Sequence, residues 1–218
     1  MKKIILSMLL VLLLFYFIIQ PFYFNFSPTT GDEPKYEPKK WNSNPNIKNS
    51  HNCYTYALDD INENSIDFCN NNSELRCRYI KPQPGHYTGN YDNSNMTCNS
   101  LKKRTKMDNP SLYDIDFYSK CKDNHYKIAL FTDPYIMYHF YRQDNNGYWS
   151  HKDGYSKASN LDYNGYLIND PRNANRTSNN NKYNYSDFCG FMCVPSNKQK
   201  KTNTARIYNR NNNILIKN

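Results

Sequence analysis

The chain has 218 residues, a net charge of +9 and an apolar fraction of 38%, with 21 tyrosines and seven cysteines. That length suits one domain of ordinary size. The positive charge gathers at Lys39–Lys40, Lys102–Arg104 and Lys198–Lys201 with no nucleic-acid-binding motif beside it, so nucleic acid is not expected as a partner.

In chain order, Lys2 and Lys3 precede a stretch from Ile4 to Ile19 that carries no charge, and apolar character resumes at Phe22-Tyr23-Phe24. A bilayer core needs about 20 apolar residues in helical form. Residues 1–26 are therefore expected to be an uncleaved signal-anchor, with residues 4–24 in the membrane. The first small residues suited to a cleavage site, Thr29 and Gly31, come too late, and the aromatics suit a membrane interface. The lysines then face the cytosol, and the domain lies on the lumenal, extracellular or virion-surface side.

Residues 27–50 hold several prolines without apolar periodicity and read as a linker; residues 51–195 read as the domain, and residues 196–218 as a basic disordered tail. Asn52 to Leu58 suits a helix capped by Asn52 or Ser50. Residues 61–78 and 86–110 look irregular. Strands are expected over 126–131, 136–143 and 148–152, with Asp144-Asn-Asn-Gly147 as a hairpin turn; a further turn at 162–165 precedes Tyr166-Leu-Ile168, and the last apolar segment is 188–194. One helix followed by an antiparallel meander is an α+β pattern.

The odd cysteine count leaves at least one thiol unpaired. Cys69, Cys77, Cys98, Cys121, Cys189 and Cys193 are the disulfide candidates; Cys189 and Cys193 bond either each other or cysteines of the 69–121 region. Sequons stand at Asn71, Asn95, Asn175 and Asn184. Cysteine and histidine spacing fits no metal site, and no cofactor is expected.

Cys53 opens the expected helix, where the partial positive charge of the N-terminus favours a thiolate. A nucleophile also needs a base. His139 and His151 fall on adjacent strands, so one can serve as base and the other orient it. Arg142, Asp144 and Trp149 are candidates to line a substrate groove, against the alternative of a cross-strand ion pair with a packed aromatic.

Asn52-Cys53-Tyr54, then Gln83-Pro84-Gly85, then His139 and His151 on successive strands, resembles the papain-like cell-wall cysteine peptidases of the NlpC and CHAP kinds. The block from His139 through Gly154, with Asp170-Pro171-Arg172 and Phe188-Cys189-Gly190-Phe191, is similar to a group of bacterial and giant-virus proteins that share the Asn-Cys-Tyr motif. The resemblance spans about residues 51–195. It departs from the peptidases in having His86 where they carry Asp, and in a longer gap between Cys53 and His139.

The resemblance implies a papain-like α+β fold, a Cys-bearing helix packed on an antiparallel sheet, preceded here by one N-terminal transmembrane helix. It implies Cys53 as nucleophile, His139 as base, His151 as orienting residue, and a peptide or glycan-peptide amide as substrate. The alternative is a non-enzymatic, disulfide-stabilised surface or virion protein that uses an inactive version of the fold for binding.

Overall fold

The segment His125–Asp133 (β2) has both faces covered, and its sequence HYKIALFTD suits that position because apolar and long amphipathic side chains follow one another through it. Around it the computed structural model, which describes residues 2–15, 26–133, 136–177 and 183–196, builds a six-stranded antiparallel sheet. The other strands are β1 (Tyr113–Ile115), β3 (Met137–Gln143), β4 (Trp149–Lys152), β5 (Ala158–Ser159) and β6 (Asp187–Pro195), in the order β1-β6-β2-β3-β4-β5. The turn between β3 and β4 closes through Gly147 N–H to the Asp144 carbonyl, with Gly147 at φ 84°. The stretch 166–168 makes only isolated bridges, Ile168 to Trp149 and Leu167 to Leu161.

Period-two alternation divides the core between the two faces. Tyr126, Ile128, Leu130, Tyr138, Phe140, Met192 and Val194 meet the helix α4 (Cys53–Ala57) through Cys53, Tyr54 and Ala57. Ala129, Phe131, Tyr141, Trp149 and Phe191 face the other way, onto Phe117, Ile168 and Tyr185.

The N-terminal expectation is corrected. Helix α1 (Lys2–Leu14) has 13 residues. At 1.5 Å per residue that is about 20 Å, against a hydrocarbon core of about 30 Å. Among the described residues no helix is long and apolar enough to cross a membrane. The transmembrane helix expected through residues 4–24 is therefore not supported, and neither is the signal-anchor topology built on it. The expectation counted apolar residues across Pro21, whose ring opposes a continuous helix by removing an N–H and crowding the carbonyl four residues back. Residues 16–25, and residues 197–218 of the expected tail, lie outside the described residues.

The segment expected as a linker is packed against the domain. It forms α2 (Pro38–Asn42) and α3 (Pro45–Ser50), each with proline in its first turn, and it buries Trp41 against Tyr56. Ser27 accepts a hydrogen bond from Lys127 Nζ at 2.6 Å, and the Thr30 hydroxyl donates to the His125 carbonyl at 2.7 Å. Composition suggested a linker because several of these anchors are contacts with residues about 100 positions away, such as Ser27 with Lys127 and Gln143 and Thr30 with His125.

The stretches expected to be irregular hold α5 (Glu63–Asn70), α6 (Glu74–Cys77) and α7 (Cys98–Asp108). Helix α7 buries Leu101, Arg104, Thr105 and Asp108, which is helical spacing written mostly in polar residues. A search for apolar periodicity therefore passes over it.

Disulfides join Cys69 to Cys77, Cys98 to Cys189 and Cys121 to Cys193. The first links α5 to α6, and the other two tie β6 to α7 and to the segment before β2. Cys189 and Cys193 do not pair with each other, because four residues of strand separate them by about 13 Å. Cys53 is the free cysteine.

Arg142 is wholly buried, and its guanidinium donates to Asp144, Asp59, the Tyr56 hydroxyl and the carbonyls of Tyr56 and Lys35. Asp144 is equally buried. Removing one member strands the other charge in the interior, so Arg142→Leu is expected to cost about 3–5 kcal/mol, while Arg142→Leu with Asp144→Leu costs much less. Urea unfolding under non-reducing conditions measures both.

Candidate functional site

Helix α4 starts where it does because Asn52 caps it. The Asn52 side-chain oxygen accepts from the N–H groups of Tyr54 and Thr55 at 3.1 and 3.2 Å, and the Thr55 hydroxyl oxygen accepts from Asn52 N–H at 3.0 Å, completing a capping box. The Asn52 amide also donates to the Pro82 carbonyl at 2.8 Å, which ties the segment from Lys81 to Gln83 to the start of the helix. Cys53 follows the cap and is 5% exposed.

Its thiol donates to the Tyr138 carbonyl at 3.9 Å and accepts from Phe140 N–H. These peptide groups flank His139 on β3. Burial pushes the thiol up to about 12, against the lowering effect of the Phe140 N–H. The expectation of a helix-activated thiolate is overturned on magnitude. A helix terminus contributes about 0.3–2 kcal/mol, whereas full burial moves an ionisable group by up to about 3–5 pKa units, or roughly 4–7 kcal/mol.

His139 projects from the face of β3 opposite Tyr138 and Phe140. Its ring is stacked on Tyr185 at 4.9 Å and lies edge-on to Tyr141 and His151. Register pairs Tyr141 with His151, so the two histidines are diagonal neighbours on one face. His139 Nε2 lies 2.8 Å from His151 Nδ1, and His151 Nε2 lies 3.0 Å from the Leu161 carbonyl oxygen.

The protons in this chain can be assigned. A carbonyl only accepts, so His151 Nε2 carries hydrogen; neutral His151 then has a bare Nδ1, to which His139 Nε2–H donates. His139 Nδ1 is left as a buried lone pair with no hydrogen-bond partner. Burial, with the neighbouring His151, lowers His139 to about 3, and burial lowers His151 too, so both rings are neutral at physiological pH. The structure therefore joins His139 to His151 directly and brings Cys53 to the backbone beside His139, with no hydrogen bond between the thiol and the His139 ring.

A cavity of about 530 Å³ opens beside Cys53, with Lys81, Gln83, Asp153 and several tyrosines in its wall. Asp153 accepts from the hydroxyls of Tyr163 and, at 3.5 Å, Tyr185. Tyr185 thus connects the cavity to the stacked face of His139. Lys152 stands behind it, its buried ammonium donating to the carbonyls of Lys48, His51 and Gly154 at 2.6–2.8 Å. That fastens the turn before the Cys53 helix to the loop that follows β4. Lys81, Lys152, Asp153 and Tyr185 were not singled out in the sequence; only the adjacency of Lys152 and Asp153 to His151 pointed to them.

Arg142, Asp144 and Trp149, expected in a substrate groove, do not line this cavity. Each is fully buried: Arg142 and Asp144 form an ion pair at 2.9 Å, and Trp149 packs 5.5 Å from the Phe191 ring. They belong to the interior because the two charges pair there and the indole fills core volume. The sequons at Asn71, Asn95 and Asn184 are exposed or nearly so, and Asn175 is half-buried. Among the described residues no group of three or more His, Cys, Asp or Glu side chains is placed to hold a metal ion.

No family model matches the chain, and no solved structure matches it. Insoluble matrix shell protein 1 of Ruditapes philippinarum is 34% identical to it over 160 residues, which cover 73% of this chain and 89% of that protein.

The buried histidines set an acid limit on stability. His51 is lowered to about 4 by burial and by Lys152, and its Nε2 accepts from Asn62 N–H at 2.8 Å. With His51 and His139 below their ordinary value of about 6.5, the unfolded chain binds protons that the folded chain refuses. Stability is complete above about pH 6.5 and falls as the pH drops toward 4, by about 1.4 kcal/mol per pH unit for each histidine. Thermal unfolding between about pH 7.5 and 4.5 reads this loss, and His139→Gln should make the profile shallower.

Proposed function

The chain belongs to the family of insoluble matrix shell protein 1, and from that premise we propose that it is a disulfide-braced extracytoplasmic domain whose cavity carries cysteine-hydrolase chemistry. Its three disulfides belong to an oxidising compartment. The observation offered for the catalytic reading is that the free Cys53 thiol lines the cavity and bonds the Tyr138 carbonyl, one peptide from His139, whose ring lies on the opposite face of β3 with a bare Nδ1. The resemblance to the papain-like cysteine peptidases supports the same assignment of roles.

In this reading the end of β3 first turns the His139 ring toward the sulfur; Cys53 Sγ then attacks an amide carbonyl and its proton passes to His139 Nδ1. His151 steadies the resulting imidazolium through Nε2–H of His139. The imidazolium gives the proton to the departing amine, leaving a thioester. A water molecule, deprotonated by His139, then releases the acid and returns the proton to sulfur. The high thiol and low imidazole values mean that no thiolate–imidazolium pair is formed at rest, so proton transfer accompanies attack.

A second reading rests on that same separation. The related protein is named as an insoluble matrix component, and a thiol held at about 12 suits a buried packing group in a structural domain.

Labelling with a peptidyl chloromethyl ketone separates the two. Catalysis predicts that Cys53 reacts faster with it than with iodoacetamide, and that His139→Ala slows the reaction at least about 100-fold while the far-ultraviolet spectrum is unchanged. If Cys53 reacts only after denaturation, and His139→Ala changes nothing, the hydrolase reading is lost and the structural one stands.

A further inference from the structure

An N-linked glycan needs an exposed asparagine with a hydroxyl two residues further on, and such triplets stand at Asn71, Asn95, Asn175 and Asn184. The fold treats them differently. The Asn71 amide turns back to the Asp67 carbonyl at 2.9 Å, at the end of α5. The Asn175 amide donates to the Asn164 side chain at 2.8 Å, and the Thr177 hydroxyl donates away from it, to the Asn184 side chain at 3.4 Å. The Ser186 hydroxyl, which completes the Asn184 triplet, goes to the Asp187 carboxylate at 3.0 Å.

At Asn95 the hydroxyl meets its own asparagine. Asn95 is exposed, and the Thr97 hydroxyl donates to its side-chain oxygen at 2.7 Å while Thr97 N–H donates to the same oxygen at 3.3 Å. Two donors on the amide oxygen draw electrons from the amide nitrogen and make its N–H easier to lose. The pairing spans three residues, so it forms on a chain that has not yet folded. The folded molecule keeps it. Arg104, buried on α7, donates to the carbonyls of Asp92 and Asn95, and the Thr132 hydroxyl donates to the Met96 carbonyl at 2.7 Å. Met96 is buried while Asn95 faces outward, so a bulky group on Asn95 displaces nothing in the core.

We propose that Asn95 is the principal N-glycosylation site of this chain, modified in preference to the other three triplets. The proposal rests on the extracytoplasmic half of the reading above and is independent of the hydrolase half. The Asn95 amide nitrogen loses one proton and bonds to the anomeric carbon of a sugar carried on a lipid pyrophosphate. The bond from that carbon to the pyrophosphate oxygen breaks, and the lipid pyrophosphate leaves with the electron pair. The Thr97 hydroxyl, already donating to the amide oxygen, stabilises the negative charge that builds there as the nitrogen gives up its proton.

The test expresses the full chain in cultured animal cells and isolates the molecules that carry all three disulfides. Peptide-N-glycosidase in heavy-oxygen water then converts each glycosylated asparagine to labelled aspartate, which peptide mass spectrometry locates. Label is expected at Asn95 in most molecules, and at Asn71, Asn175 and Asn184 in a minority each. Thr97→Val is expected to abolish the label at Asn95 with the melting temperature retained, because the Thr97 side chain makes no capping bond to α7, whereas Thr97→Ser keeps the label. An unlabelled Asn95, heavier labelling at another of the triplets, or label that survives Thr97→Val would each overturn the proposal. A chain recovered wholly reduced removes the extracytoplasmic premise and the proposal with it; a disulfide-bonded chain without label at Asn95 removes the proposal alone.

Discussion

The guanidinium of Arg142 is the contact through which the rest of the molecule is assembled. It draws together the segment before α2 through Lys35, the end of α4 through Tyr56 and Asp59, and the β3–β4 turn through Asp144. Its face lies on the Tyr56 ring at 4.3 Å. Taking such a charge out of water costs several kcal/mol, and only this number of well-placed acceptors offsets it. The geometry is demanding, so α4 has one seat on the sheet. That seat brings Cys53 to the backbone on either side of His139.

The same solution recurs. Lys127 donates to Ser27 and to the carbonyls of Phe117 and Ser119, and Lys152 to three further carbonyls. The tyrosines achieve the same with less charge: Tyr54 donates to Asp108, Tyr126 to the Ala57 carbonyl, and Tyr56 shares a proton with Ser150. Each fills volume with an aromatic ring and satisfies its hydroxyl inside. This is how a chain with few aliphatic residues in its domain closes a core. It also explains why composition read as polar while β2, β3 and β4 are buried along most of their length.

At the site, desolvation outweighs every other influence. It holds the thiol protonated and the histidines neutral, and it prevails over the helix terminus that the sequence pointed to. Neutral histidines make the hydrogen-bond chain directional, since the Leu161 carbonyl admits one tautomer of His151 and that tautomer admits one of His139. The disulfides keep this arrangement apart from sulfur chemistry elsewhere. Two of them clamp β6, which lies on the far side of β2 from β3, and Cys53 sits in the core against β3.

Features that depend on neighbours along the chain were legible in the sequence alone. The Asn52 cap, the strands around Ile128 and Phe140, the turn at Gly147 and the odd cysteine at position 53 are written in adjacent residues or in a simple count, and local sterics and hydrogen bonding produce the first three. Other features came only with the fold: which cysteines pair, that Trp41 and Ser27 pack onto the domain, and that α7 exists behind a polar stripe. The fold also placed Arg142 and Trp149 in the interior and made Cys53 a thiol of high rather than low pKa. The reason is common to most of these. Burial and long-range contact set desolvation, charge pairing and helix packing, and those quantities depend on residues far apart in sequence that meet only in the folded molecule.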